Sequence, residues 1–188
     1  MPVMQCQLVE PTAELEQSHK SFLKEFRDRR EPVVPWIVEE PYETFAEYVE
    51  MLHRAARGIG IPEDFVPHST HWLLDSRGEI VAIANLRHRV TERLLSYGGH
   101  LGYGVRPSAR RLGYGCEVLK QTLVVAKRLG IDRVRLTCDK NNIASAKTIL
   151  RNGGKLETEG YMAEHGHLVQ RYWIELPHNS RMQRARDA

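Results

Sequence analysis

Cysteine is scarce in this chain. Its 188 residues hold three, Cys6, Cys116 and Cys138, far apart and with no Cys-x-x-Cys pair. That spacing argues against a zinc ribbon and against a disulfide framework. Long apolar runs are missing as well. None approaches the roughly 20 residues that span a bilayer. The first ten residues lack the basic start and apolar stretch of a secretory signal. A soluble cytoplasmic protein is the expectation. An excess of either charge is nearly absent, with 27 Lys and Arg against 24 Asp and Glu, a formal net charge of +3. This excludes a strongly basic nucleic-acid tail as the main feature but leaves room for a local basic site. No internal repeat and no low-complexity tract is visible. What remains is a chain with 41% hydrophobic residues, long enough for one domain with a real core.

The first third reads as helical. Leu15, His19, Phe22, Leu23 and Phe26 share one face of an amphipathic helix. Pro32 and Pro35 follow its end, since proline lacks the N–H a helix needs. Thr44 and Glu47 form a capping box for a second helix, whose apolar face is Phe45, Tyr48, Val49, Leu52 and Ala56. The middle turns to strands. Residues 70–74 and 79–86 flank an Asp75-Ser76-Arg77-Gly78 turn and read as a hairpin. A polar stretch leads to a glycine-containing strand at 100–105. Glycine inside a strand marks a bulge or a close approach to the backbone. A long helix over 116–129 is apolar over much of its girth. Val134, Leu136 and Cys138 alternate in the next strand. A short helix over 142–150, closed by Asn152-Gly153-Gly154, precedes two final strands at 155–161 and 167–176. The strand–helix–strand order around the long helix implies local parallel pairing, and the hairpin implies antiparallel pairing. A mixed sheet covered by helices is the expected architecture.

The informative segment is 100–119, a strand running through an Arg- and Gly-rich turn into a helix. The first N–H groups of a helix have no internal partner and lie at the positive end of its dipole. Gly113 and Gly115 remove Cβ atoms there, while Arg110 and Arg111 add charge. The pattern suits a phosphate or pyrophosphate cradle. A P-loop is excluded because no Lys-Ser or Lys-Thr follows Gly115. The dinucleotide fingerprint fails because Val118 stands where its third glycine belongs. The alternative is a plain strand-to-helix turn with solvated arginines.

The run from Val105 through Arg110 to Gly113-Tyr114-Gly115 resembles motif A of the GNAT N-acetyltransferase superfamily, Arg/Gln-x-x-Gly-x-Gly/Ala. Asn142-Ile143-Ala144-Ser145, closed by Asn152-Gly153-Gly154, resembles motif B. The likeness is strong over about residues 70 to 176. Segments such as Val66-Pro67-His68-Ser69-Thr70, Asn85-Leu86-Arg87-His88 and Gly98-Gly99-His100-Leu101 are similar to a bacterial branch of predicted acetyltransferases without a defined substrate.

The resemblance implies an α/β fold, a mixed and mostly antiparallel sheet flanked by helices, with a parallel strand–helix–strand cofactor unit. It implies one acyltransferase domain over 1–176, with 1–65 on the acceptor side, 66–176 as the acetyl-CoA-binding core and 177–188 as a flexible tail. Tyr103, Gly104 and Val105 match the strand whose backbone bonds the pantetheine arm of acetyl-CoA. Arg110, Arg111, Leu112, Gly113, Tyr114 and Gly115 match the pyrophosphate loop. Asn142 and Ser145 match residues lining the cofactor groove, and Asn142 suits a plain helix N-cap equally well.

Direct acyl transfer to an amine needs a proton acceptor, a polarised carbonyl and a proton for the leaving thiolate. Many relatives place a Glu base where His100 stands, and an imidazole is chemically suited to that role. The alternative is a histidine that supports the sheet through a hydrogen bond. His88 is a second base candidate. Ile149 stands where some relatives carry a tyrosine acid, and Thr137 where some carry a glutamate, so neither role transfers. Tyr161 is the substitute acid. Tyr114 reads as a packing residue and Cys116 as core. His165 and His167 form an isolated His-x-His without further ligands, so no metal is expected. Arg181, Arg184 and Arg186 read as a solvated tail.

The expected function is acetyl-CoA-dependent N-acetylation of an amine in a ternary complex. The acceptor would be a small molecule or a peptide. Nucleic acid and membrane are not expected partners, and the oligomeric state is left open between a monomer and the homodimer common among relatives. The alternative is a non-catalytic acyl-CoA-binding or sensor module on the same fold. Trp36, Glu39, Glu40, Tyr42 and Glu43 suit either a cationic acceptor or an exposed acidic loop.

Overall fold

The structure, a computed structural model, describes residues 5–163 and 166–176. The Glu164-His165 turn and the segment after 176, with its arginines, lie outside the described residues.

Twelve regular elements follow the chain. They are β1 (Gln7–Val9), α1 (Glu16–Asp28), α2 (Phe45–Ala56), β2 (His68–Leu74), β3 (Ile80–Arg87), α3 (Glu92–Tyr97), β4 (Leu101–Val105), α4 (Tyr114–Arg128), β5 (Arg133–Asp139), α5 (Ile143–Arg151), β6 (Lys155–Met162) and β7 (His167–Glu175). The fold is α/β, with antiparallel sheets flanked by helices.

The strands form two antiparallel sheets, in the orders β1-β2-β3-β4 and β5-β7-β6. Alternation along β2 and β3 explains the layering, because successive side chains of a strand point to opposite faces. Trp72, Ile80 and Ile83 pack with Phe22, Phe26, Tyr48 and Leu52 of α1 and α2. Leu73, Ala82, Ala84 and Leu86 pack instead with Val118 and Leu119 of α4. α5 lies against α4 and the second sheet. The capping box at α2 is complete: Thr44 Oγ1 accepts from Glu47 N–H, and Glu47 returns the bond to Thr44 N–H.

Four features differ from the sequence reading. β1 is an added edge strand, and α3 forms inside the polar stretch after β3. α4 is buried on one face only, since Val124 is 49% exposed. The strand–helix–strand unit β4–α4–β5 is present, but the two sheets are joined by one backbone bond, His100 N–H to Arg135 O at 2.8 Å. Past that point β4 and β5 are not ladder neighbours, so the sheets part along the rest of β4. Among the described residues, no helix is long and apolar enough to cross a membrane.

Candidate active site

The turn into α4 is built around unusual backbone. Gly113 caps the helix at φ 95°, and Arg111 sits at φ 64°. Glycine adopts that region freely, whereas an L-residue there costs about 1 kcal/mol. The consequence is a row of donors. Among the described residues, the backbone N–H groups of residues 111–115 find no hydrogen-bond partner, and ladder bonding resumes where Cys116 N–H and Glu117 N–H donate to Gly113 O. Unpaired N–H groups at a helix start carry partial positive charge and suit an anion. Leu112 is exposed, and Tyr114 packs on the α4 core. A Cβ on Gly115 would meet Thr148 Oγ1 at 3.5 Å and Val105 Cγ2 at 3.6 Å, ordinary contacts. Protein packing alone therefore does not demand glycine at 115.

The arginines contribute less free charge than their clustering in sequence suggests. Arg106 is buried. It donates to Ser18 O at 3.1 Å and lies 3.7 Å from Glu25 and 3.8 Å from Glu79. It fastens α1 to the sheet. Arg110 pairs with Glu31 and lies 5.5 Å from the Phe26 ring centre. That pairing holds the Glu31 carboxyl below its ordinary range. Arg111 alone of the three lacks a carboxylate partner.

Tyr103 reaches from β4 across the opening to α5, its hydroxyl 3.1 Å from Ser145 Oγ. Burial pushes its phenol up to about 12, so the group stays protonated at neutral pH. Asn142 Oδ1 accepts from Ser145 N–H at 3.0 Å and caps α5. Its amide nitrogen is not used in that cap. Ile149 is fully buried.

Of the two β4 glycines, Gly104 has a structural cause, whereas a Cβ on Gly102 would make only an ordinary contact. A Cβ on Gly104 would overlap the Val34 carbonyl oxygen, and one on Gly102 would lie 3.6 Å from Pro35 Cβ. The loop between α1 and α2 rests directly on this strand, so the close approach inferred from sequence comes from the chain's own backbone.

His100 is buried at the junction of the sheets, and its Nδ1 accepts from Arg135 N–H at 3.0 Å. The neutral ring then carries its proton on Nε2 and has no spare lone pair. Burial, with Arg87 and Arg135 nearby, pushes its pKa down to about 4. This geometry matches the sheet-supporting alternative. His88 Nε2 lies 2.6 Å from Ser69 Oγ, on the face of β2 opposite His68. Tyr161 is 67% exposed on β6. β6 is separated from β5 by β7, so Tyr161 stands two strands from the opening.

A cavity of about 510 Å³ lies beside the first part of β4, on the α1–α2 face of the first sheet. Trp36, Phe65, His68, Asn85, Arg87 and Arg93 are among its walls. Asn85 is register partner of Gly102, which places the cavity next to the β4 backbone. Asn85 Nδ2 donates to His68 Nδ1 at 2.9 Å and to Thr70 Oγ1 at 3.1 Å. Burial, with Arg87 and His88 nearby, pushes His68 down to about 4, so it is neutral at pH 7. Sequence reasoning did not select these residues as a site. The available signal was the polar row His68, Thr70, Asn85 and Arg87 on strand faces that are otherwise apolar. Glu39, Glu40 and Tyr42 line a separate cavity with Lys20 and Arg27.

The family model described as an acetyltransferase (GNAT) domain matches residues 8–155. A search of curated proteins finds no match. Among solved structures, a ribosomal-protein-S5-alanine acetyltransferase from Vibrio fischeri is 14% identical with a TM-score of 0.67, covering 93% of this chain and 95% of that one. A ribosomal L7/L12 α-N-protein acetyltransferase in complex with coenzyme A is 16% identical, TM-score 0.63, covering 93% and 96%. A spermidine N-acetyltransferase from Vibrio cholerae is 16% identical, TM-score 0.57, covering 92% and 95%. At these identities the likeness is one of fold.

Proposed function

Since this chain belongs to the GNAT acetyltransferase family, we propose that it transfers the acetyl group of acetyl-CoA directly to an amine in a ternary complex. The observation that carries this reading is the row of unpaired N–H groups over 111–115, which suits the pyrophosphate of coenzyme A. Arg111 adds the nearby free charge. The pantetheine arm then follows the opening between β4 and α5, where Tyr103, Ser145 and the free amide of Asn142 offer polar partners. The amine comes from the α1–α2 side. Trp36 and Phe65 of the acceptor-side region and His68 and Arg87 of the core share one cavity there.

In the transfer, the amine nitrogen bonds to the thioester carbon, the C–S bond breaks, the nitrogen loses a proton and the thiolate gains one. His100 fits poorly as the base while its lone pair serves Arg135 N–H. We assign it the role of tying the sheets, and assign the proton exchange to solvent, with the amine entering as the free base. Tyr103, protonated at neutral pH and facing the opening, is the better-placed phenol than Tyr161.

Calorimetric titration of acetyl-CoA tests the cradle. The wild type should bind, and Gly113→Glu should lose at least about a hundredfold in affinity, because it combines backbone strain with a carboxylate among the donors. Equal binding would remove the assignment. A second reading, a non-catalytic acyl-CoA-binding module, draws on Ile149 and on the engaged ring of His100. Tight binding with no thiol release on any amine would select it.

A further inference from the structure

The cavity beside β4 has an unbalanced charge. Arg87 is half-buried in its wall, and its Nη1 donates to Gly99 O at 3.1 Å. Among the described residues, no carboxylate lies within ion-pair distance of it. The more deeply buried Arg106 and Arg135 each have such partners, Glu25 and Glu79 for one and Glu157 for the other. Desolvation without a counter-charge is costly, and a guanidinium in that state is poised for a carboxylate or similar anion. Among the described residues of the wall the acidic side chain is Asp64, and it is already paired with Arg93 at 2.9 Å. His68 adds no charge at neutral pH. Because its Nδ1 accepts from Asn85, it presents a donor at Nε2. The other wall is apolar, with Trp36 and Phe65 meeting edge to face at 5.6 Å between ring centres. The volume of about 510 Å³ is that of a small-molecule pocket.

A polyamine would need several free carboxylates, and this cavity offers none. The carboxylates Glu39 and Glu40 face the separate cavity.

We propose that this cavity holds the acceptor and that the acceptor is an amine bearing a carboxylate and an apolar body, an amino acid rather than a polyamine, with Arg87 gripping the carboxylate and Trp36 and Phe65 packing the body. The inference rests on the acetyl-transfer reading and adds the substrate class to it. Arg87 acts in binding and selectivity, not in bond making.

The experiment follows thiol release from acetyl-CoA with L-phenylalanine, L-leucine, phenylalaninamide, 2-phenylethylamine and spermidine. The amino acids should exceed the amide and the two amines without a carboxylate by at least about tenfold in kcat/KM, the worth of one charge-assisted hydrogen bond. Arg87→Gln should raise KM for the amino acids and erase that preference. It should leave acetyl-CoA affinity unchanged, which also shows that the variant folds. Arg87→Lys should recover part of the preference. Turnover of the amide or of spermidine at or above the rate of the amino acids would overturn this proposal and leave acetyl transfer standing. An unchanged preference in Arg87→Gln would overturn it too. Binding of acetyl-CoA with no turnover of any amine would overturn both.

Discussion

Acidification should weaken the fold of this protein before its carboxylates titrate. Of the four buried imidazoles among the described residues, burial pushes three, His19, His68 and His100, from 6.5 to about 4, and lowers the fourth, His71, as well. His19 is the extreme case. Its ring lies 5.1 to 5.5 Å from the centres of Phe45, Tyr48 and Trp72, and neither nitrogen has a partner. In the unfolded chain all three take up protons below about pH 6.5. In the folded chain they stay neutral until about pH 4. The unfolded state therefore binds more protons across that window, and stability falls as pH drops through it. At pH 5 the loss is roughly 2 kcal/mol for each ring and about 6 kcal/mol for the three. That is a large part of the 5–15 kcal/mol typical of a folded domain. Urea unfolding at pH 7, 6 and 5 measures it. His100→Gln keeps an acceptor for Arg135 N–H but cannot titrate, so its loss between pH 7 and 5 should be smaller by about 2 kcal/mol. Equal unfolding free energies at pH 7 and pH 5 would refute the reasoning.

Three further outcomes are expected. Gly104→Ala should cost about 2–3 kcal/mol in thermal unfolding, because its Cβ would overlap the Val34 carbonyl. An unchanged Tm would mean that the loop does not rest on β4. Arg106→Met should destabilise by about 1–2 kcal/mol, since it frees Ser18 O and removes the ion pairs to Glu25 and Glu79, which keep their bonds to Ser108 and Ser18. A cost below about 0.5 kcal/mol in urea unfolding would show that Arg106 does not fasten α1 to the sheet. Tyr103→Phe should cost about 1 kcal/mol by the same method, the worth of its bond to Ser145, and no loss would show that bond to be absent in solution.

Local signals in the sequence carried most of the fold. The Thr44 and Glu47 cap, the apolar faces of α1 and α2, and the Asp75-to-Gly78 turn all depend on residues near each other, and each element stands where that pattern puts it. β1 escaped because a three-residue strand shows no alternation, and it is held from afar by Gln121, whose side chain accepts from Leu8 N–H. α3 escaped because its polar stretch hid a cap, Thr91 Oγ1 accepting from Leu94 N–H. The candidate site divides in the same way. The turn at 111–115 was legible because its glycines and its helix are contiguous. The state of Arg106 was not, since Glu25 and Glu79 reach it from α1 and from the turn before β3. The Gly104 contact with Val34 and the cavity around Arg87 depend on tertiary packing that no local spacing encodes.

The central claim is that residues 111–115 bind coenzyme A through their backbone. Its most direct test is a titration of acetyl-CoA into nitrogen-15-labelled protein, followed by the amide signals of those five residues. The expected result is that these amides shift together, with saturation at one equivalent, and that pyrophosphate alone shifts the same set more weakly. Saturable binding that leaves the five amides unmoved would contradict the account.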